Sequence, residues 1–97
     1  ISSIMGSIGQ NTGGGNYIYK SSKTAVNQVM RCLANDLLEK NVAICLLHPG
    51  WVKTDMGGEG ADITTEVSVS GMRSVIDDLG IQSTGSFYNY DGTVIPW

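Results

Sequence analysis

The chain is 97 residues long, 41% apolar and 15% charged, which suits one small packed domain and excludes a disordered polar segment. Its formal charge is −3, with 6 lysines and arginines scattered rather than clustered, so nucleic acid has little electrostatic purchase on it. The longest apolar run, Val42–Leu47, is far too short for a bilayer span, and no signal or lipidation motif is visible, so no membrane partner is expected.

Ile1–Ser3 reads as the end of a strand with nothing before it, so the chain is expected to be a fragment or one piece of a longer product. Gly6 to Asn16 is a surface loop with five glycines; no Lys-Ser or Lys-Thr follows them, so a flexible connection is favoured over a phosphate cradle. From about Ile18 to Glu39 the pattern is helical, with Val26, Val29, Met30, Leu33 and Leu37 on one face expected to be buried. Lys40 suits the negative end of that helix, and Asn41 suits a left-handed cap. Val42–Leu47 then reads as a strand buried on both faces, and helix followed by buried strand implies a parallel sheet with crossover helices.

Pro49-Gly50 stops the strand, and residues 51–62 form a loop. Thr64 or Thr65 caps a second helix running to about Asp78, with Val67, Val69, Met72, Val75, Ile76 and Leu79 on a broad apolar face and Gly80 at its end. Gly85–Tyr90 looks like another strand, and Tyr90-Asp91-Gly92-Thr93 can turn a hairpin into Val94-Ile95. Cys32 and Cys45 form no close-spaced motif; both are expected to be buried and reduced, in keeping with a cytoplasmic setting. The fold class is therefore α/β.

Tyr19 and Lys23 stand four apart near the start of the first helix and emerge on one face. An ammonium beside a phenol favours the phenolate, which makes a tyrosine a usable acid or base. Spacing alone is weak support, and Tyr17 with Lys20 forms a rival pair. Open parallel sheets bind ligands beyond the carboxyl ends of their strands. Ser3 and Pro49-Gly50 lie at two such ends and the Tyr19–Lys23 helix begins near the same rim, so one cleft can collect all three. Ser2 competes with Ser3. After Pro49, the glycine lets backbone approach a ligand, and exposed amides with the Thr54 hydroxyl suit polar ligand groups. His48 is the only histidine and is expected to pack at its strand end. No His/Cys cluster offers a metal site.

The order Ile1-Ser2-Ser3 with Gly6, Tyr19-x-x-x-Lys23, and Pro49-Gly50-x-x-x-Thr54 resembles the C-terminal half of a short-chain dehydrogenase/reductase. Met5-Gly6-Ser7-Ile8, the Gly-rich insert Asn11–Asn16, His48 to Gly58, and the ending Tyr90-Asp91-Gly92 to Pro96-Trp97 are similar to the sniffer-type carbonyl reductases and C-factor proteins. The resemblance implies the C-terminal half of a doubly wound Rossmann-type sheet, with the N-terminal half absent from residues 1–97. It assigns catalysis to Ser3, Tyr19 and Lys23, with the second serine of the pair preferred. Cofactor contacts fall to Tyr19, Lys23, Pro49, Gly50, Val52 and Thr54. It further implies NADP, with NAD left open, and a small-molecule carbonyl substrate. A homodimer through the Tyr19–Lys23 helix and a monomer both stand open. For the tail it implies a last strand with an extended end instead of a hairpin. A second reading is a non-enzymatic, C-factor-like signalling or binding fragment.

Overall fold

The computed structural model describes residues 1–97 throughout. Helix α1 spans Tyr17–Asp36. A 3-10 turn over Leu38–Lys40 follows, and Asn41 closes it in the left-handed region at φ 56°, the role expected for an asparagine at a helix end. Strand β1, Cys45–His48, pairs in parallel with β2, Ser86–Asn89, in the register Leu46 to Phe87 and Leu47 to Tyr88. Helix α2, Thr65–Asp77, lies between them in sequence, so the two strands are joined by a helical crossover of the Rossmann type.

The opening segment lies on the other side of β1, where the Ser2 amide donates to the Leu47 carbonyl at 2.8 Å. Leu46 and Leu47 are successive and both buried, as a strand covered on both faces requires. The strand is shorter than the apolar run that announced it: Val42 is exposed beside the Asn41 turn, and pairing begins only after Ile44 accepts from the Gly85 amide. Leu46, Phe87 and Ile95 form the core, with Ile4 and Met30 packed against it.

Both helices correct part of the expected buried faces: Met30, Leu37, Met72, Val75 and Leu79 are half-buried as expected, and the other positions are not. In α1, Val26, Val29 and Leu33 are exposed, and the buried residues are Asn27 and Ala34. The contact line runs through Lys23, Asn27, Met30 and Ala34, about one residue around the helix from the apolar stripe. Small and polar residues set it, because α1 approaches the opening segment closely: a Cβ on Gly6 would stand 2.8 Å from the Lys23 carbonyl carbon. In α2, Val67, Val69 and Ile76 are exposed, and Ser68 is the buried residue. Its hydroxyl donates to the Pro49 carbonyl at 2.6 Å, and Gly71 allows the helix to pack against the Tyr90 carbonyl. Cys32, expected to be buried, is exposed on α1; Cys45 is half-buried.

The tail follows the reading from its turn residues. Asn89 donates to Thr93 at 2.8 Å, Gly92 sits at φ 88°, and Ile95 donates to Phe87 at 2.8 Å. Tyr88 and Val94 thus form an antiparallel bridge. Asp91 organises the turn by accepting from the Thr93 hydroxyl at 2.7 Å. Beyond it, Trp97 stacks on Phe87 at 5.7 Å, and the Ser7 hydroxyl donates to the Pro96 carbonyl. No helix is long and apolar enough to cross a membrane.

Candidate active site

Ser3, Tyr19, Pro49, Gly50, Val52 and Thr54 line one cleft of about 610 Å³ at the carboxyl end of β1. Ser3 enters it from the N-cap of a 3-10 turn, Ile4–Gly6. Tyr19 enters from the first turn of α1, and the remainder from the loop after β1. Lys23 does not line the cleft. It sits one turn further along α1 with Nζ 5.7 Å from the Tyr19 ring centroid, over the ring face where an ammonium is attracted to the aromatic quadrupole.

The two serines are held differently. Ser2 is buried, and its hydroxyl donates to Asn27 Oδ1 at 2.6 Å. Ser3 Oγ accepts from the Met5 amide at 3.1 Å, and its own proton has no protein acceptor. Of the pair, Ser3 has a hydroxyl proton free for a ligand oxygen. The rival pair lies elsewhere: Tyr17 is 80% exposed, and Lys20 donates to Asn11 Oδ1 at 2.8 Å and the Gly13 carbonyl at 3.0 Å. Lys20 therefore pins the glycine-rich loop.

The loop after β1 is built to present backbone. Gly50 turns the chain at φ 83°, a conformation that favours glycine. Lys53 donates to the Ile63 carbonyl at 2.8 Å and Ile63 to the Trp51 carbonyl at 3.1 Å, while the intervening Val52 amide has no backbone acceptor. Thr54 Oγ1 accepts from the Gly57 amide at 3.1 Å, and Trp51 Nε1 donates to the Gly57 carbonyl at 2.9 Å, so the loop is tied across its own mouth. No lysine, arginine, aspartate or glutamate lines the cleft. His48 does, with Nδ1 buried and without a hydrogen-bond partner. Burial lowers its pKa from the ordinary 6.5, since desolvation disfavours the imidazolium; the ring is a neutral part of the wall.

Sequence reasoning missed Asn27 and Ser68, which hold the cleft's parts together. The signal for Asn27 was a poor helix former in mid-helix, four residues past Lys23 and eight past Tyr19 on the same face.

A parallel sheet with a helical crossover, carrying a serine, a Tyr-x-x-x-Lys helix and a Pro-Gly loop at one rim, defines a Rossmann-type dehydrogenase segment. The chain belongs to the short-chain dehydrogenase family, whose family model matches residues 1–64. It is 46% identical over 97 residues to the protein named C-signal from Myxococcus xanthus, covering all of this chain and 58% of that one. Among solved structures it is similar to the carbonyl reductase Sniffer of Drosophila melanogaster, with a TM-score of 0.95 and 45% identity over 100% of this chain and 39% of that one. The NADPH-bound carbonyl reductase from chicken fatty liver superposes with a TM-score of 0.90 at 39% identity, over 99% of this chain and 40% of that one. The chain thus spans about half the length of the relatives it matches.

Proposed function

We propose that residues 1–97 are the catalytic, C-terminal part of an NADP-dependent carbonyl reductase, whose phosphate-binding half lies outside them. The observation that carries this is the meeting of Ser3, Tyr19 and the loop 49–54 on one cleft. The cleft fits a nicotinamide: its walls are free of charge, and the unpaired Val52 amide and the Thr54 hydroxyl offer partners for a carboxamide. The preference for NADP over NAD rests on the relatives, among them the NADPH-bound chicken reductase.

When bound, the reduced nicotinamide supplies the hydride. Ser3 donates its free hydroxyl proton as a hydrogen bond to the carbonyl oxygen and stabilises the charge that develops there. Tyr19 gives that oxygen its proton, so a ketone or aldehyde leaves as the alcohol and the phenolate is reprotonated from water. Lys23 keeps a positive charge beside Tyr19 and, from the resemblance, would hold the ribose of a bound cofactor. Pro49 and Gly50 shape the turn that brings the Val52 amide to the cleft.

Tyr19→Phe in the complete enzyme tests the reading. General acid catalysis contributes about 100- to 10,000-fold, so kcat for ketone reduction should fall by that order while the melting temperature stays put. A near-normal rate would remove Tyr19 from the chemistry. A second reading, a signalling fragment, is favoured by the similarity to C-signal. The same variant separates the two, because a binding role that does not use the chemistry survives loss of one phenol oxygen.

A further inference from the structure

Ser3 and Tyr19 can serve one oxygen only if their spacing is tightly held, since a misplacement of about 1 Å costs on the order of 100-fold in rate. The intervening loop does not hold it alone, although Lys20 pins that loop through Asn11 and the Gly13 carbonyl. The segment between them includes Gly13, Gly14 and Gly15, beside which even an added Cβ would touch nothing within 4 Å. The spacing must come from contacts across the gap, and one side chain makes two of them. Asn27 Oδ1 accepts from the Ser2 hydroxyl at 2.6 Å, and its Nδ2 donates to the Gly6 carbonyl at 3.3 Å. Ser2 and Gly6 bracket the turn that presents Ser3. Asn27 and Ser2 are 3% and 4% exposed, so water does not compete for these bonds.

We propose that Asn27 is a positioning residue whose amide clamps both ends of the Ser3 turn to the helix carrying Tyr19, and so sets the spacing of the two hydroxyls. The inference rests on the reductase reading for its effect on turnover. An amide suits the position because it accepts at one end and donates at the other; a carboxylate cannot donate and a leucine does neither. Thr24 also donates to the Gly6 carbonyl, at 2.9 Å, so that carbonyl keeps a partner when Asn27 is replaced and the turn can shift without unfolding.

The test is a set of variants of the complete enzyme: Ser2→Thr, Asn27→Leu, and Ser2→Ala with Asn27→Leu together. Asn27→Leu should lower kcat about 100-fold with KM for the carbonyl and NADPH affinity within about threefold, and it should lower the melting temperature by leaving the Ser2 hydroxyl buried and unpaired. Ser2→Thr keeps the hydroxyl and should keep the rate. The double variant removes both polar partners, so the melting temperature should recover while kcat stays low. Recovery of kcat together with stability would reduce Asn27 to an ordinary stabilising group and overturn the proposal. Crystal structures of wild type and Asn27→Leu read the clamp without turnover. The Ser3 turn should move against α1 by about 0.5 Å or more, the tolerance of a productive site; an unmoved turn also overturns the proposal. If the wild-type enzyme reduces no carbonyl, the reductase reading fails, and the crystallographic displacement alone decides the clamp.

Discussion

His48 occupies the last position of β1, half-buried, with Nδ1 lacking a partner. Its folded-state pKa lies below the ordinary 6.5, and desolvation is the cause. A lowered histidine pKa means that the unfolded chain binds the proton more readily than the folded one, so stability rises with pH across that window. As pH falls through about 6.5 and on toward the folded value, His48 withdraws stability. Asp91 acts in the same direction at lower pH. Hydrogen bonds from Thr93 depress its carboxyl, so its contribution holds above the ordinary carboxylate range and disappears in stronger acid. The windows separate the two groups. Denaturation midpoints for wild type and His48→Gln, measured between about pH 7.5 and 5, should diverge as the pH falls through about 6.5, the wild type losing the more. Equal pH slopes for the two proteins across the whole range would show that His48 carries no such linkage.

At the level of elements, helix α2 depends on its first turn. Thr64 is the N-cap, in extended conformation, and its hydroxyl accepts from the Val67 amide at 3.3 Å. Few of the helix's apolar residues are buried, so local terms weigh heavily in whether it forms. Thr64→Ala should cost about 1 kcal/mol and Thr64→Ser close to nothing; thermal or denaturant unfolding distinguishes them, and an alanine variant as stable as the serine one would refute the cap. A cap at Thr64 or Thr65 was legible because a threonine before a glutamate and an apolar rhythm is a local signal; the structure selects Thr64. The Asn41 stop, the Pro49 strand end and the turn at Asp91-Gly92 were legible for the same reason. The contact faces of α1 and α2 were not. Periodicity finds where apolar residues fall, whereas the contact lines here follow Gly6 against Lys23, Asn27 with Ser2, Ser68 with Pro49, and Gly71 against Tyr90. Those are small or polar residues whose value lies in close approach. Within the cleft, the Tyr19, Pro49-Gly50 and Thr54 positions followed from their motif. The choice of Ser3 over Ser2 on physical grounds required the hydroxyl bonds themselves.

For the whole molecule, surface is the unusual quantity. The chain exposes 6261 Å², against about 5,400 Å² for a folded monomer of its mass. Its radius of gyration is 13.8 Å, where about 12.5 Å is typical of this length. Only 13 of 97 residues are buried, and the exposed set includes Val26, Val29 and Leu33 on one face of α1 and Val67, Val69 and Ile76 on α2. The sheet does not supply the excess on its β2 side, because residues 93–95 return along that strand. The excess of roughly 900 Å² is close to the 800 Å² or so that each partner buries in a standard protein interface. Contiguous apolar side chains exposed on a helix face favour association. The 97 residues, expressed alone, should therefore associate at tens of micromolar and sediment above the mass of a 10.3 kDa monomer. Replacing Val29 with glutamine should shift the distribution toward monomer if the α1 face is the contact, since that residue is 64% exposed and its loss disturbs the fold least. A monodisperse wild-type monomer under those conditions would show that the exposed faces are tolerated in water as they stand.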